Sequence, residues 1–159
     1  HTSVAVVSAG VKSILDIGKT LEYLETLGVP VVTYGQDELP GFYSSKSGYL
    51  SPLRLDSVND IARMLYTKWQ MKLEGAVLIA NPLPAQWALD PAEAERHIET
   101  ALAAAAAQQV TGKQITPFLL QHIASHSSGE SLAANIALIQ HNARVGSEIA
   151  IAYAALQQQ

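Results

Sequence analysis

Val4-Ala-Val-Val-Ser-Ala-Gly-Val-Lys12-Ser-Ile-Leu-Asp16 runs from a short, β-branched, uncharged segment straight into a helix start. Val4 to Val7 reads as a buried strand. Ser13 offers an N-cap, and Asp16 three residues later completes a capping-box pattern. Leu15, Leu21, Leu24 and Leu27 supply the apolar face of the helix, and Gly28 stops it. Val29 to Tyr34 is a second strand, with Pro30 near its start, where a missing backbone donor is tolerated. The unit is β-α-β, whose crossover is expected to be right-handed. Open α/β folds place their chemistry at the carboxyl ends of strands, and Lys12 stands at such an end. An amine partly dehydrated there loses basicity and becomes a nucleophile toward carbonyl carbon. A lysine before a helix is also an ordinary solvated charge, and local pattern alone favours that plainer reading.

The rest of the chain extends the α/β pattern. Gly35 to Leu55 is a long stretch rich in Gly, Pro, Ser and aromatic rings, either a functional lid or contact arm or an ordinary connection. Ser57 and Asp60 form a second capping box, opening a helix through Ile61, Leu65 and Trp69 toward Leu73. Gly75 to Ala80 is a third buried strand, ending in the rigid turn Asn81-Pro-Leu-Pro84. Asp90 and Pro91 occupy N-cap and first-turn positions of a helix that runs into an alanine tract, Ala101 to Ala107. That tract either packs closely against something or is simply strong in helix propensity. Thr116-Pro117 starts a short helix, and a long one covers about Ser131 to Leu156. There is no internal repeat and no clear domain boundary, so 1–159 is one domain or the carboxyl-terminal part of a larger one.

With 159 residues, 48% hydrophobic and 15% charged, the chain can bury a real core and is neither disordered nor fibrous. So low a charge content points to surface covered by a partner. A net charge of -4 gives no footprint for nucleic acid or an anionic membrane. The absence of cysteine excludes disulfides, thiolate catalysis and zinc-thiolate sites. No apolar run has the length to cross a bilayer, and no signal peptide is visible. The first residue is His1, not methionine, which suggests a processed, cleaved or trimmed piece of something longer.

Other constellations carry less. His122 and His126 have the i, i+4 spacing of metal ligands but lack the glutamate of a zinc protease. No Walker lysine motif, dinucleotide glycine fingerprint or nucleophile elbow is present. Asp16, Glu22 and Glu25 read as solvated helix charges in preference to an acid/base pair. Asn135 lies early in the last helix on a mostly apolar face with Leu132, Ile136 and Leu138. It is a structural network residue on one reading and a base- or sugar-reading amide on the other.

Ala9 to Asp16 and Thr20 to Pro30 resemble, in order and spacing, the core segment of the pseudouridine-5′-phosphate glycosidases, also called the indigoidine synthase A-like family. The resemblance continues through Arg54-Leu-Asp-Ser57, Lys68-Trp69-Gln70, Ala80-Asn-Pro-Leu-Pro84, Gly112-Lys113 with Thr116 to Leu120, Ser131-Leu-Ala-Ala-Asn135 and Ser147 to Ala150. It covers nearly the whole chain, but only the carboxyl-terminal half of the family.

The resemblance implies a three-layer α/β/α sandwich, of which this chain supplies about half. It implies reversible cleavage of the carbon-carbon glycosidic bond of pseudouridine 5′-phosphate to uracil and ribose 5-phosphate. It makes Lys12 the residue that forms a covalent imine with ribose, and Asn135 a residue of the substrate pocket. The proton-donating glutamate and a Mn²⁺-binding aspartate belong to the amino-terminal half, so no metal ligand is expected in this chain. A separate or cleaved amino-terminal-half chain is the expected partner, in a homotrimer in the cytoplasm. The competing readings are another Schiff-base lyase or aldolase acting on a sugar phosphate, and a non-catalytic assembly half.

Overall fold

The structure, a computed structural model, describes residues 2–11, 16–42, 44–126 and 130–158. Lys12, Ser13 and Leu15 lie outside the described residues. Among those described, Ala5–Ser8 (β1), Val31–Tyr34 (β2), Leu53–Leu55 (β3) and Val77–Ala80 (β4) form one parallel sheet in the order β1-β4-β2-β3. The helices are Ile17–Thr26 (α1), Val58–Gln70 (α2), Pro91–Ala107 (α3), Ile115–His126 (α4) and Glu130–Leu156 (α5). None of the described helices is long and apolar enough to cross a membrane.

Side chains alternate across β4, and each face meets a different set of helices. Val77 and Ile79 join Val32 with Ile61 and Leu65 of α2 and Val145 and Ile149 of α5. Leu78 and Ala80 join Val31 with Ile17, Leu21 and Leu24 of α1. Helices therefore cover both faces, which gives the expected three-layer α/β arrangement. A second core lies among helices: Ala94, Ile98, Ala101 and Ala105 of α3 meet Leu119 and Ile123 of α4 and Ala134 and Leu138 of α5. The alanine tract is thus a contact surface, its methyl groups at helical spacing letting α3 and α4 approach. The single helix α5 serves both cores.

β4 inserts between β1 and β2, so the β-α-β unit joins parallel strands that are not neighbours. Some expectations are corrected. β3 falls inside the stretch expected to be a long connection, since three residues with Arg54 in the middle carry no strand pattern. And α1 begins at Ile17, with Asp16 itself as N-cap: its carboxylate accepts from the Lys19 amide at 3.0 Å and pairs with the Lys19 ammonium at 3.0 Å. Those contacts, the amide first, hold the Asp16 carboxyl below the usual carboxylate range. The Ser57 cap and the Asp90 cap are where the sequence places them. α2 ends at Gln70, short of Leu73, because Lys72 adopts a left-handed φ of 60° and the Lys68 ammonium donates to the Leu73 and Glu74 carbonyls at 2.6 and 2.7 Å.

A close backbone crossing fixes the path of the chain as it leaves β1. Gly10 has φ +98° and pairs with Gly41, while the Phe42 amide donates to the Ala9 carbonyl at 3.2 Å. A Cβ on Gly10 would stand 1.9 Å from the Pro40 carbonyl oxygen. No side chain fits, and the backbone conformation itself favours glycine. Gly10→Ala is expected to lower the unfolding free energy by about 3 kcal/mol, against about 1 kcal/mol for loss of the Ser57 cap in Ser57→Ala. Urea unfolding of the two variants checks this; equal, small losses would show that the Gly10 crossing relaxes freely.

Candidate functional site

The site is built at the carboxyl ends of β1, β2 and β4. Ala9 is buried against the helical core, so the chain leaves β1 anchored on one side. On the other side it rests on the loop between β2 and β3. That loop, for which the sequence allows either a lid or a connection, is an organised support: Leu39 is fully buried, and the Ser51 amide donates to the Asp37 carbonyl at 2.8 Å. Glu38 turns its carboxylate inward, where Oε1 accepts from the amides of Ser47, at 2.8 Å, and Gly48. A cavity of about 500 Å³ opens between this loop and α3, lined by Ile17, Glu38, Lys46, Glu95 and Glu99 among others.

Asn81, the first residue past β4, reads in the sequence only as part of a rigid turn. It is fully buried. Its amide donates to the Ser8 carbonyl at 2.7 Å, tying the ends of β4 and β1 together. Its side-chain Nδ2 donates to Asn142 Oδ1 on α5 at 2.9 Å, and its own Oδ1 has no partner. Reversing either amide still leaves one buried polar atom of Asn81 unmatched. Thr33 Oγ1, at the end of β2, is likewise buried and without a partner. Unmatched buried polar groups are uncommon in folded proteins. Two of them at strand carboxyl ends mark this end of the sheet as the polar one. A polar residue directly after the all-apolar run Gly75 to Ala80 was the available signal for Asn81.

The predicted site residues fare unequally. Lys12 lies outside the described residues, between Val11 and Asp16. Asn135 sits on α5, half-buried, beside a cavity of about 240 Å³ lined by Leu120, Gln121, Ala124, Ser131 and Leu132. Its apolar neighbours differ from expectation: Leu138 is buried, but Leu132 and Ile136 are exposed. The Asn135 cavity and the one beside the loop share no lining residue, so the described residues do not unite them in one pocket. His122 and His126 stack with ring centroids 4.1 Å apart, and His126 Nδ1 is 2.7 Å from the His122 carbonyl oxygen. Among the described residues no group of three or more His, Cys, Asp or Glu side chains could hold a metal ion. Glu22 and Glu25 are exposed, as solvated helix charges are.

Farther along α5, Arg144 Nη2 donates to His141 Nδ1 at 3.1 Å. Burial, then the Arg144 charge, pushes the imidazole below its ordinary value, consistent with a ring that accepts at Nδ1. Both line a groove of about 470 Å³ with Trp87 and Ile136.

Comparison with known proteins places this architecture. The pseudouridine-5′-phosphate glycosidase of Nocardioides sp. is 51% identical over 156 residues, which are 98% of this chain and 51% of the relative. That of Deinococcus radiodurans is 52% identical over 156 residues, 50% of its length. The chain spans about half the length of the curated relatives it matches. Among solved structures, the prealnumycin C-glycosynthase in complex with ribulose 5-phosphate superposes with a TM-score of 0.86 at 37% identity, over 97% of this chain and 51% of that one. An indigoidine synthase A-like protein of Thermotoga maritima gives 0.78 at 34% identity, over 97% and 50%. A family profile described as indigoidine synthase A like protein matches residues 1–152, and the chain belongs to that family.

Proposed function

We propose that this chain is the lysine-bearing half of a pseudouridine-5′-phosphate glycosidase, with Lys12 as the nucleophile. The observation that carries the reading is the Ala9-Gly10-Val11-Lys12-Ser13 motif, in a chain about half identical to proteins of that name. The locked crossing of Gly10 over Pro40 supports it, since a nucleophile needs its loop held in place.

A C-glycoside is hard to cleave because uracil carbon is a poor leaving group and acid at a ring nitrogen does not help. An amine changes the problem. The Lys12 amine, in its neutral form, displaces the ribose ring oxygen at C1′, and that oxygen leaves as the 4′-hydroxyl. The nitrogen lone pair then forms a C=N bond as the C1′–C5 bond breaks; its electron pair goes to uracil C5, which takes up a proton from a general acid. Water hydrolyses the iminium, releasing ribose 5-phosphate and restoring the amine. In reverse, the iminium is the electrophile and uracil C5 the nucleophile.

Within this proposal Asn135 contacts the substrate, and Asn81, with Asn142, orients groups at the strand ends. On this reading the proton donor and the Mn²⁺ site belong to the other half of the protein. The assembled enzyme is a cytoplasmic homotrimer on the same reading. That the C-glycosynthase neighbour holds ribulose 5-phosphate supports a pentose phosphate as ligand.

The test is borohydride reduction in the presence of ribose 5-phosphate, on the chain assembled with its other half, read by peptide mass. A reduced pentose phosphate adduct on Lys12 is expected, and none in Lys12→Ala. An adduct without condensation of uracil and ribose 5-phosphate would point to a different Schiff-base lyase; no adduct would sink the covalent role. Asn135→Ala is expected to lower kcat/KM at least about tenfold, or ~1.4 kcal/mol of transition-state stabilisation, with little change in Tm. A large loss of Tm with unchanged catalysis would make Asn135 structural.

A further inference from the structure

Stability alone does not account for an amide at residue 81. The strand before it, Val77–Ala80, is entirely apolar, and Asn81 itself has no exposure. Its Oδ1 is buried without a donor, which destabilises the fold. Apolar side chains of similar shape in place of such a pair are often neutral or stabilising. What an amide supplies and a hydrocarbon does not is direction. A hydrogen bond fixes one atom against another, whereas apolar surfaces tolerate repacking.

The bonds that Asn81 does make cross between layers. Its backbone amide donates to the Ser8 carbonyl at 2.7 Å, and its Nδ2 to Asn142 Oδ1 at 2.9 Å. One residue thus ties β4 to β1 through its main chain and to α5 through its side chain. Ser8 lies four residues before Lys12, and Asn142 seven residues after Asn135. Seven residues are close to two helical turns, so Asn135 and Asn142 share a side of α5. Apolar contacts hold the same helix against the sheet: Val145 and Ile149 join Val77 and Ile79, and a Cβ on Gly146 would stand 3.6 Å from Val7 Cγ2. Those contacts press α5 onto the strands. The amide pair sets its position along its own axis.

We propose that Asn81 is a positioning residue: acting through Asn142, it holds α5, and with it Asn135, at a fixed place relative to the strand end that leads to Lys12. The inference rests on the reading that Lys12 and Asn135 serve one pentose phosphate. Attack at C1′ then joins an amine carried by one element to a sugar gripped by another. Misplacement by 1 Å in such an arrangement lowers the rate by up to about 100-fold. The unmatched Oδ1 is the destabilising side of the same arrangement, and local rules are broken most often where a site requires it.

The test compares Asn81→Leu with the unaltered protein, each chain assembled with its other half. In the condensation of uracil with ribose 5-phosphate, kcat is expected to fall at least about tenfold, with little change in Tm. Combined with Asn135→Ala, the substitution is expected to add less than about twofold, because α5 no longer carries the group being placed. The chain has no cysteine, so spin labels at Glu22→Cys on α1 and Glu148→Cys on α5, both exposed positions, report the place of the helix without any turnover. Their distance distribution is expected to shift or broaden by about 2 Å in Asn81→Leu. Unchanged kcat in a folded Asn81→Leu, effects that simply multiply with those of Asn135→Ala, or an unaltered label distance would each overturn the proposal. Asn142→Leu removes the same bond from its half-buried side and decides the question if Asn81→Leu does not fold. An assembled, unaltered protein without turnover, whose labels still respond to Asn81→Leu, would defeat the glycosidase reading and leave the placement of α5 by Asn81 standing.

Discussion

Everything in this fold hangs on β4 being buried from both sides. Val77, Ile79 and Ala80 have no exposure, and the strand carries hydrogen-bonded neighbours on each edge. Its odd-numbered residues hold α2 and α5, and its even-numbered ones hold α1, so two helical layers are registered to each other through four residues. Burial of large aliphatic side chains contributes roughly 1.5–3 kcal/mol each. The same strand delivers Asn81 to the end of the sheet, where its amide closes onto Ser8 and its side chain onto Asn142. The core residues of β4 thus run directly into the polar site.

The helical core is joined to the sheet by α5. Ala134 and Leu138 pack among α3 and α4, whereas Val145 and Ile149 pack on the sheet. A 27-residue helix extends about 40 Å, long enough to reach both. Through it, the cavity by Asn135 and the Asn81–Asn142 contact are held on one rigid rod. The groups that the functional reading needs are therefore positioned by different layers but not by independent ones.

Much of this was legible in the sequence, for identifiable reasons. The β-branched runs at Val4, Val29 and Gly75 named three strands because burial on both faces removes any alternation with polar residues. Ser57 and Asp90 announced helix starts because a short polar side chain before an apolar period has little else to do. Asp16 misled, because it is itself an N-cap residue type and the capping-box reading assigned that task to Ser13. The position of β4 between β1 and β2 was invisible: strand order is set by long-range packing, and no local pattern encodes it. β3 was missed for the same reason, its three residues being a strand only by virtue of β2 beside them. The lysine motif could be singled out from sequence alone, whereas the unmatched Asn81 Oδ1 could not, since a missing hydrogen-bond partner exists only once the chain is folded.

The strand order has a temporal side. Ala5 pairs with Val77, and β2 must wait for the same late strand before it is enclosed. Contacts so far apart in sequence form slowly, because a long loop must close before any of them stabilises the chain. As the ribosome releases this polypeptide, the uncharged segment from Thr2 to Val11 emerges ahead of β4 and stays without that sheet partner until β4 has been made. Such a stretch is a natural client for chaperones that hold extended apolar chain, and a seed for aggregation when they are short. The topology that buries the centre of the sheet so thoroughly thereby makes the birth of the protein its most vulnerable moment.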